Sequence, residues 1–139
     1  MGLFDALDAY GSALSAERLR MDVTAENLAN AQSTRSANGT GPYKRKEVVL
    51  EQAGSTFADS LQAARGVRVA GIVEDSTPPR RVYDPGHPDA DGQGYVTMPN
   101  VNTVTEMTDL IGASRAYEAN VTAMQTAKSM FARTLDILK

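Results

Sequence analysis

The chain has 139 residues, one domain's worth on the usual span of about 100–200 residues. Fourteen lysines and arginines against seventeen acids leave a formal charge of −3, which excludes the basic excess that neutralising nucleic-acid phosphates requires. Cysteine is absent, so disulfides, thiolate metal sites and thiol nucleophiles are excluded, and 6% aromatics with no tryptophan argue against one bulky core.

The first eight residues, Met1 to Asp8, carry two acids, no positive charge in a side chain and no unbroken apolar run. They predict no cleaved secretory signal. No stretch approaches the ~18 consecutive apolar residues of a membrane-spanning helix. Leu7, Leu14, Met21 and Leu28 then recur every seven residues, flanked by Leu3, Tyr10 and Ala31. This spacing predicts one helix from Leu3 to Asn30, about 42 Å long, with Asp5 and Asp8 suited to its positive start. The pattern stops at Asn30-Ala31-Gln32-Ser33-Thr34. Asn27 and Asn30, three residues apart near that end, project from nearly one face. Their amides either cap the helix or bond backbone groups of adjoining chains.

The composition then changes. All six prolines and most of the glycines fall between residues 39 and 99. Short β-branched runs bounded by turn residues, Val48-Val49-Leu50, Val67-Arg68-Val69, Gly71-Ile72-Val73, Arg81-Val82-Tyr83 and Tyr95-Val96-Thr97, predict a small β-rich insertion. Between Gln52 and Arg65 the spacing of Phe57, Leu61 and Ala64 fits either a helical turn or a loop.

Near the carboxyl end, Thr103 and Glu106 have the spacing of a capping box, which predicts a second helix starting there and running to about Leu138, roughly 54 Å. Along it Leu110, Tyr117, Met124, Phe131 and Leu138 again recur every seven residues, with Val121 and Leu135 in a second row. A 3.5-residue repeat in both helices predicts facing seams and a left-handed supercoil. The expected fold is α plus small β: two long terminal helices packed as a coiled coil, with a Pro/Gly-rich β middle. The boundaries are 1–31 for the first helix, 32–101 for the β-rich segment and 102–139 for the second helix. Each helix offers only a narrow stripe, so apolar surface is left for neighbours, and assembly is expected through the two ends.

Candidate chemistry is sparse. His87 is the only histidine, and Asp84, His87, Asp89 and Asp91 are the ligand types of a metal site or a small metal-dependent hydrolase. Their loop does not match a calcium-binding pattern. Side chains bonding their own backbone between Pro85 and Pro88 are the preferred reading. Tyr43-Lys44-Arg45-Lys46 reads as a solvated strand start or a contact for an acidic neighbour rather than a nucleic-acid patch. Gly39-Thr40-Gly41 lacks the lysine of a phosphate loop and reads as a turn. Tyr117, Met124, Met130 and Phe131 read as seam packing rather than a cofactor pocket.

Several segments carry a resemblance. Asn27-Leu28-Ala29-Asn30 after a long heptad helix resembles the signature of the bacterial flagellar rod and hook axial proteins. Gly41-Pro42-Tyr43-Lys44-Arg45-Lys46, Val82 to Asp91, Gly94-Tyr95-Val96 and Pro99-Asn100-Val101-Asn102 resemble the proximal-rod branch of that family, and Ser114-Arg115-Ala116-Tyr117-Glu118-Ala119-Asn120 resembles its carboxyl-terminal element. The resemblance runs nearly end to end and implies a structural subunit, not an enzyme, with no cofactor, metal, nucleic acid or small-molecule substrate. It implies a rod crossing the periplasm, transmitting torque and enclosing the export channel, with export through the flagellar type III apparatus. Implied partners are copies of the chain, the rod proteins FlgB and FlgF, the adaptor FliE and the membrane-ring base. The implied assembly residues are Leu7, Leu14, Met21, Asn27, Leu28, Asn30, Leu110, Tyr117, Met124, Phe131 and Leu138. The alternatives are another rod-family subunit and, far behind, the hydrolase built on the His87 loop.

Overall fold

The computed structural model describes residues 3–36, 41–54 and 66–137. Helix α1 spans Leu3–Ala29 and helix α2 spans Thr103–Ile137, about 40 and 52 Å long. Between them lie β1 (Lys46–Gln52), β2 (Val67–Glu74), β3 (Arg80–Tyr83) and β4 (Tyr95–Met98). The β-branched runs form these strands as expected, and the two runs from Val67 to Val73 merge into the single strand β2. The segment 55–65 and Leu138 lie outside the described residues.

The strands form two separate antiparallel pairs, β1 with β2 and β3 with β4. Val49 pairs with Gly71 but Leu50 with Val69, so Ala70 is an extra residue on β2 that bends the ladder. The β1–β2 pair rests on α1, and α2 packs against α1 alone among the elements. Ser12 in α1 fixes the approach of β2: the Val67 amide donates to its Oγ at 3.0 Å, and a Cβ on Gly66 would collide with the same hydroxyl. Any larger residue there would displace the Ser12 hydroxyl and break its bond to Val67.

The two helices run antiparallel, with the end of α1 beside the start of α2, where Asn27 meets Glu106. The fully buried helix positions are small or polar: Ala16, Val23 and Asn27 in α1, Glu106 and Ala113 in α2. The large residues at seven-residue steps are covered less. Leu7, Leu14, Met21, Leu28, Leu110, Tyr117 and Met124 are half-buried, and Phe131 is exposed. Small side chains let the helices approach closely and leave the larger ones flanking the contact. Beyond the helices the core is a small cluster of Ala31, Tyr43 and Val101, with Val96 buried in β4.

The start of α2 differs from the expected capping box. Asn102 is the capping residue, its Oδ1 accepting from the amides of Val104 at 3.0 Å and Thr105 at 3.4 Å. Glu106 is thereby released from capping and turns inward.

Candidate assembly surface

Two parts of the helix pair bear on assembly: a buried polar joint at one end and bare apolar surface elsewhere. The joint is built on Asn27. Its Nδ2 donates to the Lys46 carbonyl at 2.8 Å and to Glu106 Oε2 at 2.9 Å, and its Oδ1 accepts from the Tyr43 hydroxyl at 2.8 Å and the Lys46 amide at 2.9 Å. All four hydrogen-bonding positions of the amide are used within the chain. Asn27 therefore joins α1, the lead-in to β1 and the start of α2, and has no capacity left for an adjoining chain.

Glu106 completes the joint by accepting from Arg45 Nε at 2.6 Å. Three further carboxylates, Glu47, Asp75 and Asp109, lie within 3.4–3.9 Å of the same guanidinium. The hydrogen bond it donates to Glu106 holds Arg45 still more firmly protonated than usual. Burial, and then the negative charges of Glu26, Glu106 and Glu74, push the Tyr43 hydroxyl up to about 12. The basic run 44–46 is thus no free patch: Lys46 pairs with Glu26 at 2.6 Å, Lys44 with Glu74 at 3.3 Å, and Arg45 is largely covered. No motif joins Glu106 to Asn27, because the bond between them spans 79 residues.

Asn30 behaves locally, donating to the Glu26 carbonyl at 2.9 Å and accepting from Ser33 Oγ at 3.0 Å. It serves the end of α1. The loop from Asp84 to Gly94 is tied by its own backbone and side chains: Asp84 Oδ1 accepts from Gly86 N at 3.2 Å, Asp91 Oδ1 from Gln93 N and Tyr95 N at 2.9 Å, and His87 Nδ1 from Asp89 N at 3.1 Å. Its long-range ties run from Asp89 to Thr34 at 2.7 Å and to Arg35, just after α1, and not to the second helix. Bonding from Arg35, then Thr34, holds the Asp89 carboxyl below its usual range. Gly94 has φ of +82°, whereas Gly86 is not among the positive-φ glycines. Among the described residues no three of His, Asp and Glu converge on a point where a metal would sit.

The bare surface is concentrated on α2. Val104, Met107 and Ile111 follow i, i+3, i+7 spacing near its start and are 53–72% exposed. Met130, Phe131 and Leu135 lie near its end, where α2, with 35 residues against 27, outruns α1. These are large side chains in water at both ends of one helix.

Residues 7–35 match the family described as flagella basal body rod protein, and residues 93–137 match the flagellar basal body rod FlgEFG protein C-terminal family. The flagellar basal-body rod protein FlgC of Bacillus subtilis is 44% identical over the whole of both chains. The chain belongs to the FlgC family of flagellar basal-body rod proteins. The FlgC protein of Borreliella burgdorferi is 43% identical over 100% of this chain and 99% of its own, and that of Salmonella typhimurium 44% identical over 99% and 98%. The function is structural: a subunit of the rod in the flagellar basal body.

Proposed function

We propose that the chain builds the rod through its two helices, which form an inner layer as a coiled-coil-like pair while residues 32–101 form an outer layer. The observation that carries this is the incomplete cover of the helix faces. Leu7, Leu14, Met21, Leu28, Leu110, Tyr117 and Met124 are only half-buried, and Phe131 is 39% exposed, so neighbouring subunits complete the burial. Leu138 extends the same seven-residue row. Asn27 and Asn30 act indirectly, by fixing the shape of the end that a neighbour meets. In this reading the tube encloses the export channel and carries torque across the periplasm. Subunits reach it through the flagellar type III apparatus without a cleaved signal. The neighbours are further copies and the related rod proteins FlgB and FlgF, with FliE and the membrane ring at the base.

Circular dichroism compares the isolated chain with the assembled rod. Much less helix is expected in the isolated chain, because narrow stripes stabilise long helices poorly without neighbours. An isolated chain with both helices fully formed from end to end overturns the reading.

A further inference from the structure

We propose that neighbouring copies pack side by side, the outward face of α1 in one copy lying antiparallel against the outward face of α2 in the next. This rests on the assembly reading above and names the two faces that meet. At about 100° per residue, Asp8, Arg18 and Asp22 fall within about 80° of arc on α1, about 120° round from the buried Ala16, Val23 and Asn27. Arg115, Glu118 and Arg133 fall within about 60° of arc on α2, nearly opposite the buried Glu106 and Ala113. All six charged side chains are exposed, and none makes an ion pair with a described residue. Each face points away from the contact between the helices, so the two cannot meet within one chain.

The charges on the two faces are complementary. Along α1 they run negative, positive, negative at Asp8, Arg18 and Asp22, and back along α2 they run positive, negative, positive at Arg133, Glu118 and Arg115. With Asp22 opposite Arg115, Arg18 comes within one residue of Glu118. Asp8 then lies opposite Ser129, and Arg133 stands about 6 Å further along, within the reach of an arginine side chain. A parallel arrangement does not match, because ten residues separate Asp8 from Arg18 and only three separate Arg115 from Glu118. The antiparallel alignment also sets Ile111, 53% exposed, against the small exposed residues Ala25 and Ala29, so the contact has an apolar part beside its ion pairs. One chain carries both halves of this match, which makes a second copy the occupant. Within a chain Asn27 meets Glu106, and Asp22 opposite Arg115 displaces the neighbour from that alignment by about 6 Å along the axis. A heterologous contact with such a step builds an open helix of subunits and not a flat ring.

The native chain contains no cysteine, so an engineered pair reports without background. Ser15 and Thr122 are exposed and lie opposite one another across the contact, so Ser15→Cys with Thr122→Cys disturbs no buried side chain. Cells lacking the native gene are given this double variant, and their isolated basal bodies are treated with a short bismaleimide. Covalent dimers and higher multiples of the chain are expected, absent from either single variant. Basal bodies that form normally without such multiples, or with the chain linked only to a different protein, overturn the side-by-side contact and leave the rod role standing. An unaltered chain that never enters basal bodies defeats the assembly reading itself. As an independent arm, Asp22→Lys and Arg115→Glu should each lower the number of assembled rods about fivefold, the factor of one exposed ion pair worth about 1 kcal/mol, and their combination should restore it. Losses arising inside a single helix would add and not cancel, so a combination no better than the worse single variant also overturns the contact.

Discussion

The two ends of the helix pair are built on opposite principles. At the joint, four polar side chains from three parts of the chain are buried together, with every hydrogen bond of Asn27 made internally. At the far end, Met130, Phe131 and Leu135 are exposed, with no covering element among the described residues. A buried polar joint tolerates only one arrangement, because any slip leaves an amide or a charge unsatisfied, whereas an apolar end gains from any surface that covers it. The joint therefore fixes the shape of the subunit, and the bare faces near both ends of α2 are where an assembly gains free energy.

The strongest way to break this contrast is to remove Glu106. Glu106→Ala leaves Arg45 and one donor of Asn27 without partners at a buried site, and a loss of about 3–5 kcal/mol is expected in urea unfolding of the joint-end fold followed by circular dichroism. A loss below about 1 kcal/mol would show that the joint does not hold that end together.

A second effect comes from Tyr43. Its folded-state pKa, about 12, lies above the ordinary 10.0, so the folded state keeps a proton that the unfolded chain releases. Stability is therefore full below pH 10 and falls as pH rises from 10 to 12, by on the order of 2 kcal/mol. Tyr43→Phe should abolish this alkaline loss while costing about 1–3 kcal/mol at neutral pH, since Asn27 Oδ1 loses a donor. An unchanged alkaline profile in that variant would place the titration elsewhere.

Two glycines of the Asp84–Gly94 loop sharpen the comparison on a smaller scale. Gly94 has a left-handed backbone, and an added Cβ would lie 2.9 Å from the Tyr83 ring, so Gly94→Ala should cost about 1–2 kcal/mol. At Gly86 the nearest atom to such a Cβ is Asp84 Oδ1 at 3.6 Å, an ordinary contact, and Gly86→Ala should shift the unfolding midpoint little. Equal costs at the two positions would contradict the backbone argument.

The smallest effect on the isolated chain is expected at the bare end. Leu135→Ser should change the free energy of urea unfolding by no more than about 0.5 kcal/mol, as for exposed positions generally, while reducing rod formation in cells. A large loss in the isolated chain would mean that Leu135 is already covered.

What the sequence disclosed follows the same division. Both helices were legible from seven-residue apolar spacing, and the strands from β-branched runs between turn residues, because these are local patterns that packing had only to ratify. Asn27 stood out through its motif, yet its meeting with Tyr43, Arg45 and Glu106 did not, since nothing local links these positions. The Thr103–Glu106 spacing even pointed the wrong way: a capping box was a sound local reading, but Asn102, one residue earlier, took over the cap and freed Glu106 for the joint. The seven-residue spacing marked the leucines, yet Ala16, Val23 and Ala113 occupy the buried positions between the helices.

Asn27 has one more consequence. Its side-chain amide bonds both the N–H and the C=O of Lys46, as the peptide group of an adjacent strand would. A strand with an open margin is a template on which further strands add without limit, the route to amyloid-like aggregates. Here the first position of that margin is already taken by a side chain that belongs to a helix and cannot be extended into another strand. At that one position a rod subunit is closed to strand addition by its own helix.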